Sequence, residues 1–173
     1  GTRINAGREV IPKPLYTVED KCLIEYVLLN LKNSGISEFI IIVGFMADKI
    51  VLKLGDGSRY GVKIKYVMTP YFENTLGQSL LLAQEYIRGE FILAMSDHLI
   101  QLEGVQKLVN FPLENNACAL LVDKKISTIS WLDDAAKVQL NGHLILGVDK
   151  KFTNYQAIDC GMFKCSPIIF EEI

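Results

Sequence analysis

Two aspartates stand where a carboxylate can hold a cation. Asp97 comes just after the apolar run Phe91-Ile92-Leu93-Ala94-Met95 and is followed by His98. In open α/β sheets, ligands collect beyond the carboxyl ends of the strands. A carboxylate there can bind Mg²⁺, a hard ion that takes oxygen ligands and bridges protein to phosphate. Asp97 could equally cap the next turn, and His98 could touch a substrate or only close that turn with a hydrogen bond. Asp159 lies within the otherwise apolar segment Ala157-Ile158-Asp159-Cys160-Gly161. A buried carboxylate needs a cation, a donor or a metal to offset its lost hydration. Asp159 is therefore either a second Mg²⁺ ligand or the acceptor of a structural backbone hydrogen bond.

Three other segments suit a phosphate-bearing ligand. Gly1-Thr2-Arg3 joins a flexible glycine to a fork-shaped cation, and Ile11-Pro12-Lys13-Pro14-Leu15 holds a lysine between two prolines. Phosphate needs such neutralisation, and proline lowers the entropy lost when a loop orders. Glu73-Asn74-Thr75-Leu76-Gly77-Gln78-Ser79 precedes a helix, so Gly77 allows close backbone approach and Thr75, Ser79 and the amides can face a base or an anion. A plain helix-capping loop has the same composition.

These residues must be positioned by alternating elements. Leu23, Val27 and Leu31 recur at helical spacing and Asn33-Ser34-Gly35 supplies a stop. Phe39 to Val43 reads as a strand buried on both faces. The alternation continues with a helix over 47–54, a strand over 62–68, a helix over 79–87, a strand over 90–95 and a helix near 102–110. Strands over 117–123, 136–140, 143–148 and 158–164 follow, and Asn141-Gly142 predicts a type I′ hairpin. This is an α/β pattern with helices on the faces of a sheet and more antiparallel pairing in the second half.

Bulk properties exclude several classes. At 173 residues the chain suits one domain with a sizeable core. Its 18 basic and 20 acidic residues leave a net charge of −2, which argues against a broad nucleic-acid surface. Its longest apolar runs are far shorter than the roughly 20 residues that cross a bilayer. A cytoplasmic location follows by default. Cys22, Cys118, Cys160 and Cys165 are scattered without CxxC spacing, so free, mostly buried thiols are expected rather than a zinc site or a disulfide framework.

Taken in order, Gly1-Thr2-Arg3, Pro12-Lys13-Pro14-Leu15, Asp97 and Asp159-Cys160-Gly161 resemble the sugar-phosphate nucleotidyltransferase family over nearly the whole chain. Met95-Ser96-Asp97-His98, Asp134 to Val138 and Gly147-Val148-Asp149-Lys150 are most similar to its inositol-1-phosphate cytidylyltransferases. The resemblance implies a Rossmann-like three-layer α/β fold with a mixed, mostly parallel central sheet. It implies that Arg3 and Lys13 contact the phosphates, with Gly1 and Thr2 beside them, that the loop with Thr75, Gly77 and Ser79 surrounds the base, and that Asp97 and Asp159 hold Mg²⁺. Lys150 and Lys137 are implied on the acceptor side with His98, although strand lysines more often face water. The family opens with an apolar strand ahead of Gly-Thr-Arg, so a sheet starting here would lack a central member. Some inositol-phosphate relatives continue into a membrane-embedded synthase. The implied reaction joins a nucleoside triphosphate, CTP by this likeness, to inositol-1-phosphate. A hexose-1-phosphate or choline phosphate is the alternative acceptor, and a noncatalytic nucleotide sensor is the alternative of another class.

Overall fold

The computed structural model describes residues 10–69, 76–114, 117–126 and 132–173. Gly1, Thr2, Arg3 and Thr75 lie outside them. A short hairpin, β1 (Thr17–Val18) and β2 (Lys21–Cys22), leads into α1 (Leu23–Asn33). Ile24, Val27, Leu28 and Leu31 are buried along α1, as the helical spacing requires. At its start the Glu25 carboxylate accepts the Cys22 N–H at 2.9 Å. At its end the Ser34 N–H bonds the Asn30 carbonyl and Gly35 takes φ +96°.

Strand β3 (Glu38–Val43), α2 (Ala47–Leu54) and β4 (Lys63–Met68) form one unit, with β3 and β4 parallel from Glu38↔Lys63 to Val43↔Met68. The expected long helix over 79–87 is instead α3 (Leu76–Leu81) followed by a separate 3-10 turn at Gln84–Tyr86. Strand β5 (Phe91–Ala94), α4 (Leu102–Val109), β6 (Cys118–Asp123), β7 (Lys137–Asn141), β8 (Leu144–Asp149) and β9 (Ala157–Cys165) complete the order. β9 runs through the middle of the larger sheet, antiparallel to β5, β6 and β7, while β8 pairs with β7.

The fold is α/β and Rossmann-like with a mixed sheet. Among the described residues its one parallel ladder is β3–β4, and every ladder made by β9 is antiparallel. The hairpin also differs in kind. Asn141 stays in β7 opposite Leu144, leaving Gly142 and His143 as the two loop residues, and of these Gly142 alone takes a positive φ, +63°. A type I′ turn needs positive φ at both central residues, whereas glycine at the first position alone marks type II′.

Two apolar clusters meet on α1. Ile24 packs with Cys22, Val43, Ala47, Ile50 and Leu54. Val27 and Leu31, one turn on, pack with Val105, Leu108 and Met162. The helix thus ties the β3–β4 unit to the larger sheet. Between β3 and β5, each hydrogen-bonded on one edge only among the described residues, lies a groove of about 1050 Å³ floored by α1 residues including Val27, Leu28 and Leu31.

Candidate active site

Lys13 is presented by the turn that its proline neighbours enforce. Pro12 is buried, the Leu15 N–H donates to the Pro12 carbonyl at 2.8 Å, and Leu15 packs on the first apolar cluster. The turn is therefore anchored on both sides of a lysine whose ammonium lies 2.5 Å from Asp97 Oδ2.

Asp97 is set by β5 as its residue type suggested. The ladder between β5 and β9 ends at Ala94↔Met162, and the Met95 N–H extends it by donating to the Gly161 carbonyl at 2.8 Å. The strand stops there, and Ser96 and Asp97 form the turn that follows it, beyond the carboxyl end of β5 and beside the Gly161 segment of β9. His98 Nδ1 donates to Asp97 Oδ1 at 2.9 Å. That hydrogen bond, opposed by burial and reinforced by Lys13, holds the Asp97 carboxyl well below the usual carboxylate range. Asp97 is ionised at neutral pH.

On the facing strand, Asp159 Oδ1 accepts the Gly161 N–H at 2.6 Å, the structural bond that the sequence left open. Gly161 takes φ +71°, and a Cβ there would stand 2.9 Å from Met95 Cγ and 3.0 Å from His98 Cγ. The backbone of β9 thus lies directly under the His98 ring, and Lys13, Asp97, His98, Gly161 and Asp159 form one contiguous chain of contacts. β9 also bulges here, since its register with β6 shifts between Leu120 and Val122.

The other expected residues divide. Lys137 is buried rather than turned to water. Its ammonium donates to the Lys150 carbonyl at 2.7 Å and lies 5.9 Å from the Tyr155 ring centre. Lys137 therefore fixes the turn that leaves Lys150 exposed. Its strand is next to the aspartate, because the Asp159 N–H donates to the Ala136 carbonyl at 2.9 Å. Gly77 sits in α3, where the close approach it permits is to Ile173, whose Cγ2 would be 2.6 Å from an added Cβ. Ser79 lines the groove beside β3 and β5.

Asp123 was not singled out, though the rule that selected Asp97 applies to it: it ends the apolar run Cys118 to Val122 at the carboxyl end of β6. It pairs with Ile158 beside Asp159 and accepts the Lys125 N–H at 2.8 Å. Burial, then the charges of Asp123 and Asp159, push the neighbouring Cys160 thiol up to about 11. No group of three or more potential metal ligands occurs among the described residues. The Asp97 and Asp159 carboxylates, linked through His98 and Gly161, are oxygen donors of the kind that would suit an ion taking its other oxygens from phosphate and water.

A model of the nucleotidyl transferase family matches residues 1–127. The chain belongs to that family. Among curated relatives, the bifunctional IPC transferase and DIPP synthase of Thermococcus kodakarensis is 27% identical over 99% of this chain and 37% of its own length. The low-salt glycan biosynthesis nucleotidyltransferase Agl11 of Haloferax volcanii is 30% identical over 100% of this chain and 48% of its own. The chain thus spans between a third and a half of the length of these relatives. Among solved structures, the inositol-1-phosphate CTP transferase from T. maritima superposes with a TM-score of 0.81 at 23% identity, over 93% of this chain and 64% of that one. This last likeness is one of fold. No helix among the described residues is long and apolar enough to cross a membrane.

Proposed function

We propose that this domain transfers the cytidylyl group of CTP to inositol-1-phosphate and releases pyrophosphate. The observation that carries the proposal is the contiguous set Lys13, Asp97, His98, Gly161 and Asp159 at the carboxyl end of β5, in a chain whose relatives include IPC transferases. The acceptor phosphate is largely dianionic near neutral pH and attacks the α-phosphorus directly, so the residues need only align the reactants and spread charge.

Lys13, held by its anchored turn, neutralises the triphosphate, and Arg3 shares that role through its planar fork. Asp97 and Asp159 are the carboxylates that would hold Mg²⁺, which would screen charge on the transferring phosphoryl oxygens. Asp97 brings to this a carboxylate kept ionised by its neighbours, and Asp159 has one oxygen outside its bond to Gly161. Ser79 and Gly77, with Thr75, belong to the nucleotide side. Lys150, placed by Lys137, and His98 belong to the acceptor side.

The groove between β3 and β5 is assigned to an apolar strand preceding Gly1, which would complete the sheet next to the nucleotide site. The synthase named in the bifunctional relatives is proposed for the longer protein, and a cytoplasmic location for this domain. A sugar-1-phosphate acceptor is the second reading, favoured by the 30% identity to the glycan-biosynthesis relative. Pyrophosphate release by the full-length protein, measured with the four nucleoside triphosphates against inositol-1-phosphate, glucose-1-phosphate and choline phosphate, decides between them. CTP with inositol-1-phosphate is expected to be fastest. A faster UTP or dTTP reaction with glucose-1-phosphate would move the substrate assignment, and no release from any pair would leave a nucleotide sensor.

A further inference from the structure

Two cysteines outside the proposed chemistry are brought face to face. Cys118 on β6 is directly opposite Cys165 on β9. The next pair along is hydrogen-bonded, the Ser166 N–H donating to the Ala117 carbonyl at 3.1 Å. Pairs alternate in an antiparallel ladder, so Cys118 and Cys165 occupy a non-hydrogen-bonded position, where Cα atoms are about 4.5 Å apart and side chains share a face. A disulfide requires Cα atoms about 4.4–6.8 Å apart. Cys118 is exposed on a strand that pairs with β9 alone among the described residues, whereas Cys165 is fully buried.

We infer that Cys118 and Cys165 are a thiol-disulfide modification site, closed to a cross-strand disulfide by a small disulfide oxidant such as oxidised glutathione. Exposure decides the order of events. The Cys118 thiolate attacks one sulfur of the oxidant, forming a mixed disulfide and expelling one glutathione thiolate. Cys165 then gives up its proton and attacks Cys118 Sγ, expelling the second glutathione. Two protein thiols lose two electrons and two protons, and the oxidant becomes two thiols. Burial first, and then the neighbouring Cys118, push the Cys165 thiol above its ordinary range, so the second step is the slow one and quickens with pH. The closed link staples the free-edged β6 to the strand that bears Asp159 and Gly161.

The test uses full-length protein incubated with oxidised glutathione, followed by alkylation under denaturing conditions and non-reducing peptide mapping. The expected result is one peptide pair joined through Cys118 and Cys165, with Cys22 and Cys160 still alkylated and a melting temperature raised by about 5 °C. Cys118→Ser, or Cys118→Ala should the serine variant fold poorly, should lose the linked peptide and the shift. A glutathione adduct on Cys118 with Cys165 still alkylated would overturn the inference. So would a link through Cys22 or Cys160, or four thiols unchanged.

Discussion

The ion pair between Lys13 and Asp97 is part exposed, at 46% and 22% of side-chain area, so it adds little to stability. Its value is in placing a cation and an ionised carboxylate at one point. Asp97→Asn keeps the shape and removes the charge. It is expected to lower turnover by on the order of 10²–10³-fold while changing the free energy of urea unfolding by less than about 1 kcal/mol, and unchanged turnover would take Asp97 out of the site. The Asp97 pKa lies far below neutrality, so its charge is constant from weak acid upward and is lost only in strong acid. The rise of kcat/KM between pH 5 and 7 should therefore track the second ionisation of the acceptor phosphate, near pKa ~6, and should stay in place in the Asp97→Asn variant. Gly161 has two reasons to lack a side chain, its φ of +71° and its contact with Met95 and His98. Gly161→Ala should cost roughly 1–3 kcal/mol in urea unfolding and lower turnover as well, because the strained segment carries Asp159.

The start of α1 is held by Glu25, whose carboxylate accepts the Cys22 N–H, takes a hydrogen bond from Tyr60 at 2.7 Å and meets Lys53 at 2.9 Å. Burial alone would raise its pKa, but these partners outweigh burial and lower it from 4.5 to about 2. A depressed carboxyl stabilises the fold above its unfolded value and loses that contribution as pH falls from 4.5 to 2. The stability gap between the protein and Glu25→Gln, on the order of 2 kcal/mol at pH 6, should shrink towards pH 3 in urea unfolding. A gap independent of pH would show that packing, not charge, is at work. Such elements were readable from sequence where burial repeats at one period, as in α1 and α2, and β3 from its unbroken apolar run, although Phe39 to Ile42 are part exposed rather than buried on both faces because β3 borders the groove. The helix expected over 79–87 was not, because its apolar spacing does not reveal the break after Leu81. The hairpin type failed because the strand kept Asn141 and moved the turn by one residue, which no local pattern records. Asp97 and Asp159 stood out from their places after and within apolar runs, and Lys13 from the prolines on either side of it. Asp123, at the end of the apolar run of β6, shares that signal, and the support of Lys150 by Lys137 depends on a pairing of distant strands.

At the scale of the molecule, α1 joins two units whose strands β3 and β5 border a common groove. A strand in that groove would occupy the open edges of both. In the full-length protein, amides of Phe39–Val43 and Phe91–Ala94 should both be strongly protected from hydrogen exchange, and rapid exchange along one of these strands would mean that the groove is not filled by a strand. The groove and the carboxylate pair adjoin, because β5 lines one and leads into the other. Asp97, in the turn after β5, and Asp159, on β9, are proposed to act as one site. The most direct test is a crystal structure of the full-length protein with CTP and Mg²⁺. The expected result is a single ion with an oxygen of each carboxylate about 2.0–2.1 Å away and the triphosphate within reach of Lys13. An ion bound without Asp159, or a nucleotide seated away from Lys13 and Asp97, would contradict it.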